Sequence, residues 1–503
     1  MEQISTNRIS PARRILFLSG LGVAIGWAVL CLLKYGSVIS CYDGVSHLYI
    51  PKTVIENGSY SGLYNLGTVW LFGFHLLVLP FTAIKYLYTT GLAGTIVNTL
   101  AFSLSAILIY SILPNKFGFL ASCLFIFNPY SLIYATTPMS EMTAIFFILL
   151  SLYLLKRWIE TRRLKLWILL SLSLSLGSLV RYEVWVVTVG AILFSLIYGI
   201  RKRLYGLIIY TPLPLAGILV WLLYNLLFFH DPFIFLTHPC ARIPLNTPYA
   251  GSWTGALHHS LLMTYWIGGG LLIPGVIGLI VLIIRRDPLA LLVILLLLPS
   301  LIHIPLGVTR HSLGYSRFFL YTLPALSLAG FGWVSHIKRF QRWLALLILA
   351  SPLLTLPSFI KLVKTGGNSF VDYRACQDIY YPTMAEALSL NREIMERVGE
   401  GKTLFAFRQF YQLLSLSTGS PPSQFYDAFD TREGDYRIIE KPWLYAKVVI
   451  VDSLREVDRY WMEFTQGKYF NYLFFKDPDW RRKFLSFYKE GFRVKNSIVF
   501  FKR

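Results

Sequence analysis

Charge is scarce in this 503-residue chain, and acidic charge is scarcest. Only 15% of residues are Asp, Glu, Lys or Arg, against about a quarter in ordinary soluble domains. Of the 26 acidic residues only eight precede residue 371, whereas 26 of the 47 basic residues do. That shortage excludes an ordinary soluble fold for the first 370 residues and places a domain boundary near residue 365, beyond which acids and bases nearly balance. Cysteine is sparse too. Cys31, Cys41, Cys123, Cys240 and Cys376 have no metal-ligand spacing, and nothing requires a disulfide between Cys41 and Cys240. There is no internal repeat of the kind many transporters carry. What fills the gap is apolar: 55% of the chain is hydrophobic.

A net charge of +21 often signals nucleic acid, but no such partner is expected here. The positive charge sits in short clusters between apolar runs, the pattern of loops retained in the cytoplasm. A lipid-spanning helix needs about 20 apolar residues, and apolar stretches begin near residues 15, 69, 92, 117, 139, 165, 183, 204, 263, 288, 318 and 342. The first, Ile15 to Leu33, reads as an uncleaved anchor. If all twelve crossed, Lys156–Lys165 would face outward while the N-terminus faced inward. Removing Val69–Tyr88 from the count repairs every cluster. That stretch carries Trp70, His75, Pro80 and Lys85 and suits a helix lying in the outer interface. The sequence therefore predicts a mainly α, multi-pass membrane protein: residues 1–365 form about eleven spans plus an interfacial helix. Its N-terminus is cytoplasmic, and residues 366–503 form an extracytoplasmic α/β domain.

Carboxylates near lipid are costly and demand a reason. Glu2, Glu160 and Asp287 lie among cytoplasmic bases and read as solvated loop charges. The other five fall on the outer side. Asp43 is either an N-cap for a helix near Val45 or a working acid, with His47 four residues on along one face. Glu141 begins a span, where a negative charge also suits the helix dipole. Glu183 sits beside Arg181 at a tight turn and could be its structural ion partner. Asp231 reads as a turn residue, and Glu56 completes the five. Outer basic residues run against the trend: Arg181, Arg242, His303, Arg310, His311 and Arg317. Single ones can anchor helix ends, but Arg310, His311 and Arg317 in TRHSLGYSRFF suggest an anion site, because the guanidinium fork matches phosphate. Acids and phosphate-binding groups at one membrane boundary suit sugar transfer from a lipid phosphate.

Four segments resemble the GT-C superfamily of membrane glycosyltransferases, which includes protein O-mannosyltransferases and the lipid A aminoarabinose transferase. They are DGVSHLYIPK with the interfacial VWLFGFHLL, NPYSLIYATTPMSEMTAIFF, LVRYEVW and YSRFFLYTLP, in that order over residues 15–335. The resemblance implies a polyprenyl- or dolichyl-phosphate-linked sugar donor and a glycan, lipid or protein acceptor. It implies Asp43 as general base and Glu141 as the second-loop acid. Arg317 and Arg181, with Arg310 and His311 nearby, would hold the donor phosphate, while His47, Glu183, Trp70 and His75 shape the acceptor side. Asp-Gly at 43–44 replaces the two acids frequent in mannosyltransferases, which weakens a mannose assignment. The paired second-loop acids of oligosaccharyltransferases are missing, so no metal or other cofactor is expected. Inversion at the anomeric carbon is. A lipid or polar-solute transporter, or flippase, is the rival reading, though such proteins usually place ionisable groups near the midplane on broken helices.

In the C-terminal part, 403–407, 447–452 and 497–502 read as strands, and 384–398 and 479–490 as helices. It contains neither a Gly-rich phosphate loop nor a catalytic serine context. Asn57-Gly58-Ser59 is a glycosylation sequon in the first outer loop.

Overall fold

The structure is a computed structural model. It describes residues 10–56, 63, 66–67, 69–204, 209–237, 251–312, 314–337, 339–354, 356–357, 360, 381–399, 404–406, 411–426, 441–452, 477–495 and 497–503. The Asn57 sequon, Cys240, Cys376, Arg242 and the aromatic run 459–475 lie outside them.

The chain is mostly helical: α1 (Pro11–Tyr35), α2 (Tyr42–Ile55), α3 (Gly73–Thr82), α4 (Lys85–Thr90), α5 (Leu92–Ile112), α6 (Lys116–Ile126), α7 (Pro129–Thr136), α8 (Glu141–Thr161), α9 (Leu164–Ser178) and α10 (Glu183–Arg201). There follow α11 (Ala216–Phe229), α12 (Trp253–Gly268), α13 (Leu272–Ile284), α14 (Pro288–Leu301), α15 (His303–Val308), α16 (Thr322–Val334) and α17 (Gln341–Ala350). Central α5 packs against α1, α6, α7 and α8 and carries small buried residues, Ala93, Gly94, Ser103 and Ala106 among them, that let helices approach closely.

Among the described residues six helical stretches are long and apolar enough to cross a membrane, or seven if the bent pair α6–α7 counts as one. Eleven were expected from the apolar runs. The difference has a local cause: several runs are interrupted. Asn128-Pro129 bends α6 against α7 by 63°, with the Asn128 side chain capping the second helix. The 15-residue α9 rises only about 22 Å, short of a hydrocarbon core of about 30 Å. Val69–Tyr88 breaks into α3 and α4, neither long enough to span, in keeping with its exclusion from the crossing segments.

Beyond residue 380, α18 (Tyr381–Val398), α19 (Tyr411–Thr418) and α20 (Pro478–Phe487) accompany a five-stranded mixed sheet. Its strands are β1 (Leu404–Ala406), β2 (Phe425–Tyr426), β3 (Val448–Asp452), β4 (Tyr488–Val494) and β5 (Ser497–Lys502), ordered β2-β1-β3-β5-β4. β1 runs parallel to β2 and β3, while β5 is antiparallel to β3 and β4. Alternate residues of β3 and β5 serve opposite faces. Val449, Val451, Ile498 and Phe500 pack with Trp443, Phe484 and Tyr488. Val448, Ile450 and Val499 pack with Ile394, Met395 and Leu414. The three expected strands and the first helix are present. The second helix, expected over 479–490, stops at Phe487, and the next residues pair with β5 as β4. Only Tyr488 and Val494 of this stretch are buried, so no apolar alternation marks it; the antiparallel pairing with β5 makes it a strand.

This region is fastened to the helical part. Ser46 Oγ on α2 donates to Gln412 Oε1 at 2.5 Å, Tyr88 Oη bonds Ser415 Oγ at 3.0 Å, and Tyr49 of α2 joins the sheet-and-α18 core.

Candidate active site

The site is assembled by two close backbone approaches. The turn Thr137–Ser140 that delivers Glu141 is held by Asn98 of α5, whose Nδ2 donates to the carbonyls of Thr137 (2.9 Å) and Met139 (2.6 Å). Asn98 Oδ1 accepts from Thr143 Oγ1 at 2.9 Å, so the amide is satisfied on both sides. Pro138 of this turn lies where a side chain on Gly94 would sit, and its Cγ would lie 3.2 Å from a Cβ on Gly44. Glycine beside Asp43 thereby lets the start of α2 meet the turn before α8. The other approach is at Gly73, whose N–H donates to Leu179 O at 2.7 Å; a Cβ there would lie 2.6 Å from the same oxygen. It pins the start of α3 to the turn that carries Arg181.

Three carboxylates and two guanidiniums then converge. Arg181 forks onto Glu183, Nε to Oε2 at 3.0 Å and Nη2 to Oε1 at 2.6 Å. Its Nη1 donates to Glu141 Oε1 at 2.7 Å and Ser140 Oγ at 3.1 Å. Arg317 Nη2 donates to Asp43 Oδ2 at 2.5 Å, and Arg317 Nε lies 3.5 Å from Glu141 Oε1. Glu141 thus lies between both arginines, and its fully buried Oε2 has no hydrogen-bond partner among the described residues. Aromatic faces support the cations: the Arg317 guanidinium lies 4.4 Å from the Tyr315 ring centre. His303 stacks on Phe318 at 4.3 Å, bonds Ser312 Oγ through Nδ1 at 2.9 Å and brings Nε2 within 3.8 Å of Glu183.

Asp43 is not a helix cap. α2 begins at Tyr42 with Cys41 in the cap position, and the Asp43 carboxylate turns instead to Arg317. Four residues on, His47 Nδ1 meets His75 Nε2 at 2.9 Å, and His75 Nδ1 meets Leu66 O at 2.7 Å. A carbonyl only accepts, so a neutral His75 donates from Nδ1 and accepts at Nε2, which makes His47 Nδ1 the donor and leaves its Nε2 lone pair unprotonated. Trp70 lies against His47 at 5.1 Å between ring centres. Burial holds both imidazoles neutral. It drives His47 well below 6.5, helped by His75 and the two arginines, and lowers His75 to about 4.

This has a pH consequence. Between about pH 6.5 and 4 the unfolded chain protonates His75 and the folded protein does not, so stability falls with acidification by ~1.4 kcal/mol per pH unit, roughly 3 kcal/mol in all. Thermal melts of the detergent-purified protein from pH 7 to 4.5 are expected to steepen below pH 6. His75→Gln should flatten that dependence by about one proton; an unchanged slope would show that His75 is not held neutral.

Of the residues chosen from sequence, Asp43, Glu141, Arg181, Glu183 and Arg317 form this one network, with His47, Trp70 and His75 beside it. Arg310 and His311 do not join it. Both are exposed, with Arg310 in a left-handed turn at φ 62°, and neither forms an ion pair among the described residues. The adjacent Ser312 reaches the network instead, through His303. Asp231 is the expected turn residue, accepting from Phe233 N at 2.9 Å. Asp287 is more than a solvated loop charge, since it caps α14 and pairs with His336. Glu56 pairs with Lys52, buried beneath it, at 2.5 Å. Asn98, Ser140 and Lys52 were not singled out in the sequence; an asparagine inside the apolar run of α5 was the available signal. Among the described residues no three His, Cys, Asp or Glu side chains converge as metal ligands.

No family model and no curated protein matches the chain in sequence. Solved structures do match in shape. ArnT from Cupriavidus metallidurans superposes with a TM-score of 0.53 at 13% identity, over 95% of this chain and 97% of that one. Its complex with undecaprenyl phosphate gives 0.52 at 12%. The oligosaccharyltransferase of Archaeoglobus fulgidus, in complex with zinc and sulfate, gives 0.51 at 12% over 97% of this chain and 73% of that one. Both proteins are GT-C superfamily members. The chain therefore shares the fold of these two proteins along nearly its whole length.

Proposed function

We propose that this protein transfers a sugar from a polyprenyl-phosphate-linked donor to an acceptor hydroxyl at the outer membrane face. One observation carries the reading: Asp43, a partly exposed carboxylate, lies against Arg317, a cation able to receive phosphate. The acceptor oxygen attacks the anomeric carbon as the bond from that carbon to the phosphate oxygen breaks. Asp43 takes the hydroxyl proton, and the electron pair leaves on the phosphate as polyprenyl phosphate, whose charge Arg317 stabilises. A single displacement inverts the anomeric centre. Glu141 and Arg181 hold Arg317 in place, and His47 and Trp70 face the acceptor side. The mechanism uses no metal or other cofactor. The neighbours' complexes with undecaprenyl phosphate and with a dolichol-phosphate support a lipid-phosphate donor, and the network, built at helix ends rather than mid-span, favours an enzyme over a flippase. In this reading the N-terminus is cytoplasmic, about eleven segments traverse the bilayer, some of them short or broken, and the 366–503 domain lies outside, over the acceptor path.

The test is transfer by the purified protein in proteoliposomes supplied with a native extract of lipid-linked sugars, followed by mass spectrometry. Donor-dependent appearance of glycosylated acceptor is expected; movement of the lipid between leaflets without transfer would sink the proposal. Arg317→Lys keeps the charge but loses the planar fork. It is expected to raise the donor concentration for half-maximal rate about tenfold, measured by the same assay.

A further inference from the structure

The two roles just given to Asp43 and Arg317 exclude one another in the geometry observed. Arg317 Nη2 is taken by Asp43 Oδ2 at 2.5 Å, so phosphate cannot use that nitrogen while the pair persists, and a carboxylate bound to a guanidinium is a poor base. The network as a whole is also adverse to an anion, with three carboxylates against two guanidiniums. Exposure shows which contact can yield. The side chains of Glu141 and Glu183 are 0% and 8% exposed and Arg317 6%, whereas Asp43 is 35% exposed. Glu141 and Glu183 are further held by Arg181, including its two-pronged bond to Glu183. Nothing comparable awaits Asp43 on its own helix: the neighbour four residues on is His47, whose free nitrogen is a lone-pair acceptor and cannot bond a carboxylate.

We infer that Asp43 is a latch on the phosphate site: a phosphate group arriving at Arg317 displaces the Asp43 carboxylate, which becomes competent as a base only then. The inference rests on the functional reading above and adds an order to it, donor before acceptor.

The latch predicts a gain where a simple contact residue would give a loss. If Arg317 is free of Asp43 only about a tenth of the time, Asp43→Asn should tighten phosphate binding about tenfold. The experiment measures binding of farnesyl phosphate and of inorganic phosphate to the full-length protein in detergent, by tryptophan fluorescence, for wild type, Asp43→Asn, Asp43→Ala and Glu183→Gln. Glu183→Gln removes the same charge from the network without touching Arg317. Tightening in both Asp43 variants but not in Glu183→Gln is the expected result. If farnesyl phosphate alone shows it, the ligand is a lipid headgroup; if inorganic phosphate shows it too, the phosphate group suffices. Equal tightening in Glu183→Gln would reduce the effect to net charge and overturn the latch, as would unchanged or weaker binding in both Asp43 variants. Those outcomes leave the sugar-transfer reading standing if transfer is still lost in Asp43→Asn. Failure of every variant, wild type included, to bind farnesyl phosphate overturns both.

Discussion

Asp43→Asn is expected to lower sugar transfer by about a thousandfold, within the range lost when a positioned general base is removed, while the protein still inserts and folds. The amide matches the carboxylate in shape and cannot take a proton near neutral pH. Folding should survive because the Asp43 side chain is 35% exposed, because Glu141 stays 3.5 Å from Arg317 and keeps its charge compensated, and because Asp43 does not cap α2. The measurement pairs initial transfer rates in proteoliposomes with the melting temperature of the same preparation. Transfer at the wild-type rate would mean that Asp43 only partners Arg317 and that another group removes the proton.

The largest loss of stability is expected from Arg181→Met. Arg181 binds Glu141 and Glu183 at once, and both carboxylates are buried with no other cation as near among the described residues. Removing one member of a buried ion pair costs about 3–5 kcal/mol because the remaining charge stays desolvated. The variant should melt well below wild type and lose transfer through displacement of Glu141. Adding Glu183→Gln should recover part of the melting temperature, since one uncompensated charge disappears. If the double variant melts no higher than the single one, Arg181 stabilises by packing rather than by neutralisation.

How much of this was legible beforehand follows the physics of each signal. Charges that must be justified near lipid stood out, which is why Asp43, Glu141, Arg181, Glu183 and Arg317 could be chosen without knowing that they meet. Sequence neighbourhood does not foretell that Arg310 and His311 stand apart from the network: six residues separate Arg310 from Arg317, and the chain turns at Arg310 before returning through Ser312. Apolar runs reveal hydrophobicity but not continuity, so the bend at Asn128-Pro129 and the shortness of α9 leave fewer full-length helices than apolar runs among the described residues. Asn98 carries no such mark, because it binds backbone carbonyls of a turn about forty residues away, a contact without a charge pattern. The start of β4 reads as helix in the sequence because its exposed residues Lys489 and Glu490 follow directly on the charged surface of α20.

The helix bearing Asp43 is gripped from two directions. Its inner face meets α3 through His47 and His75, and its outer side is held by α19 through Ser46 and Gln412, with Tyr49 sunk into the core beneath the sheet. A shift of the C-terminal region would therefore be passed to the Asp43 carboxylate through one turn of helix. Whatever docks on that region would have leverage over Asp43 without touching the charged network itself.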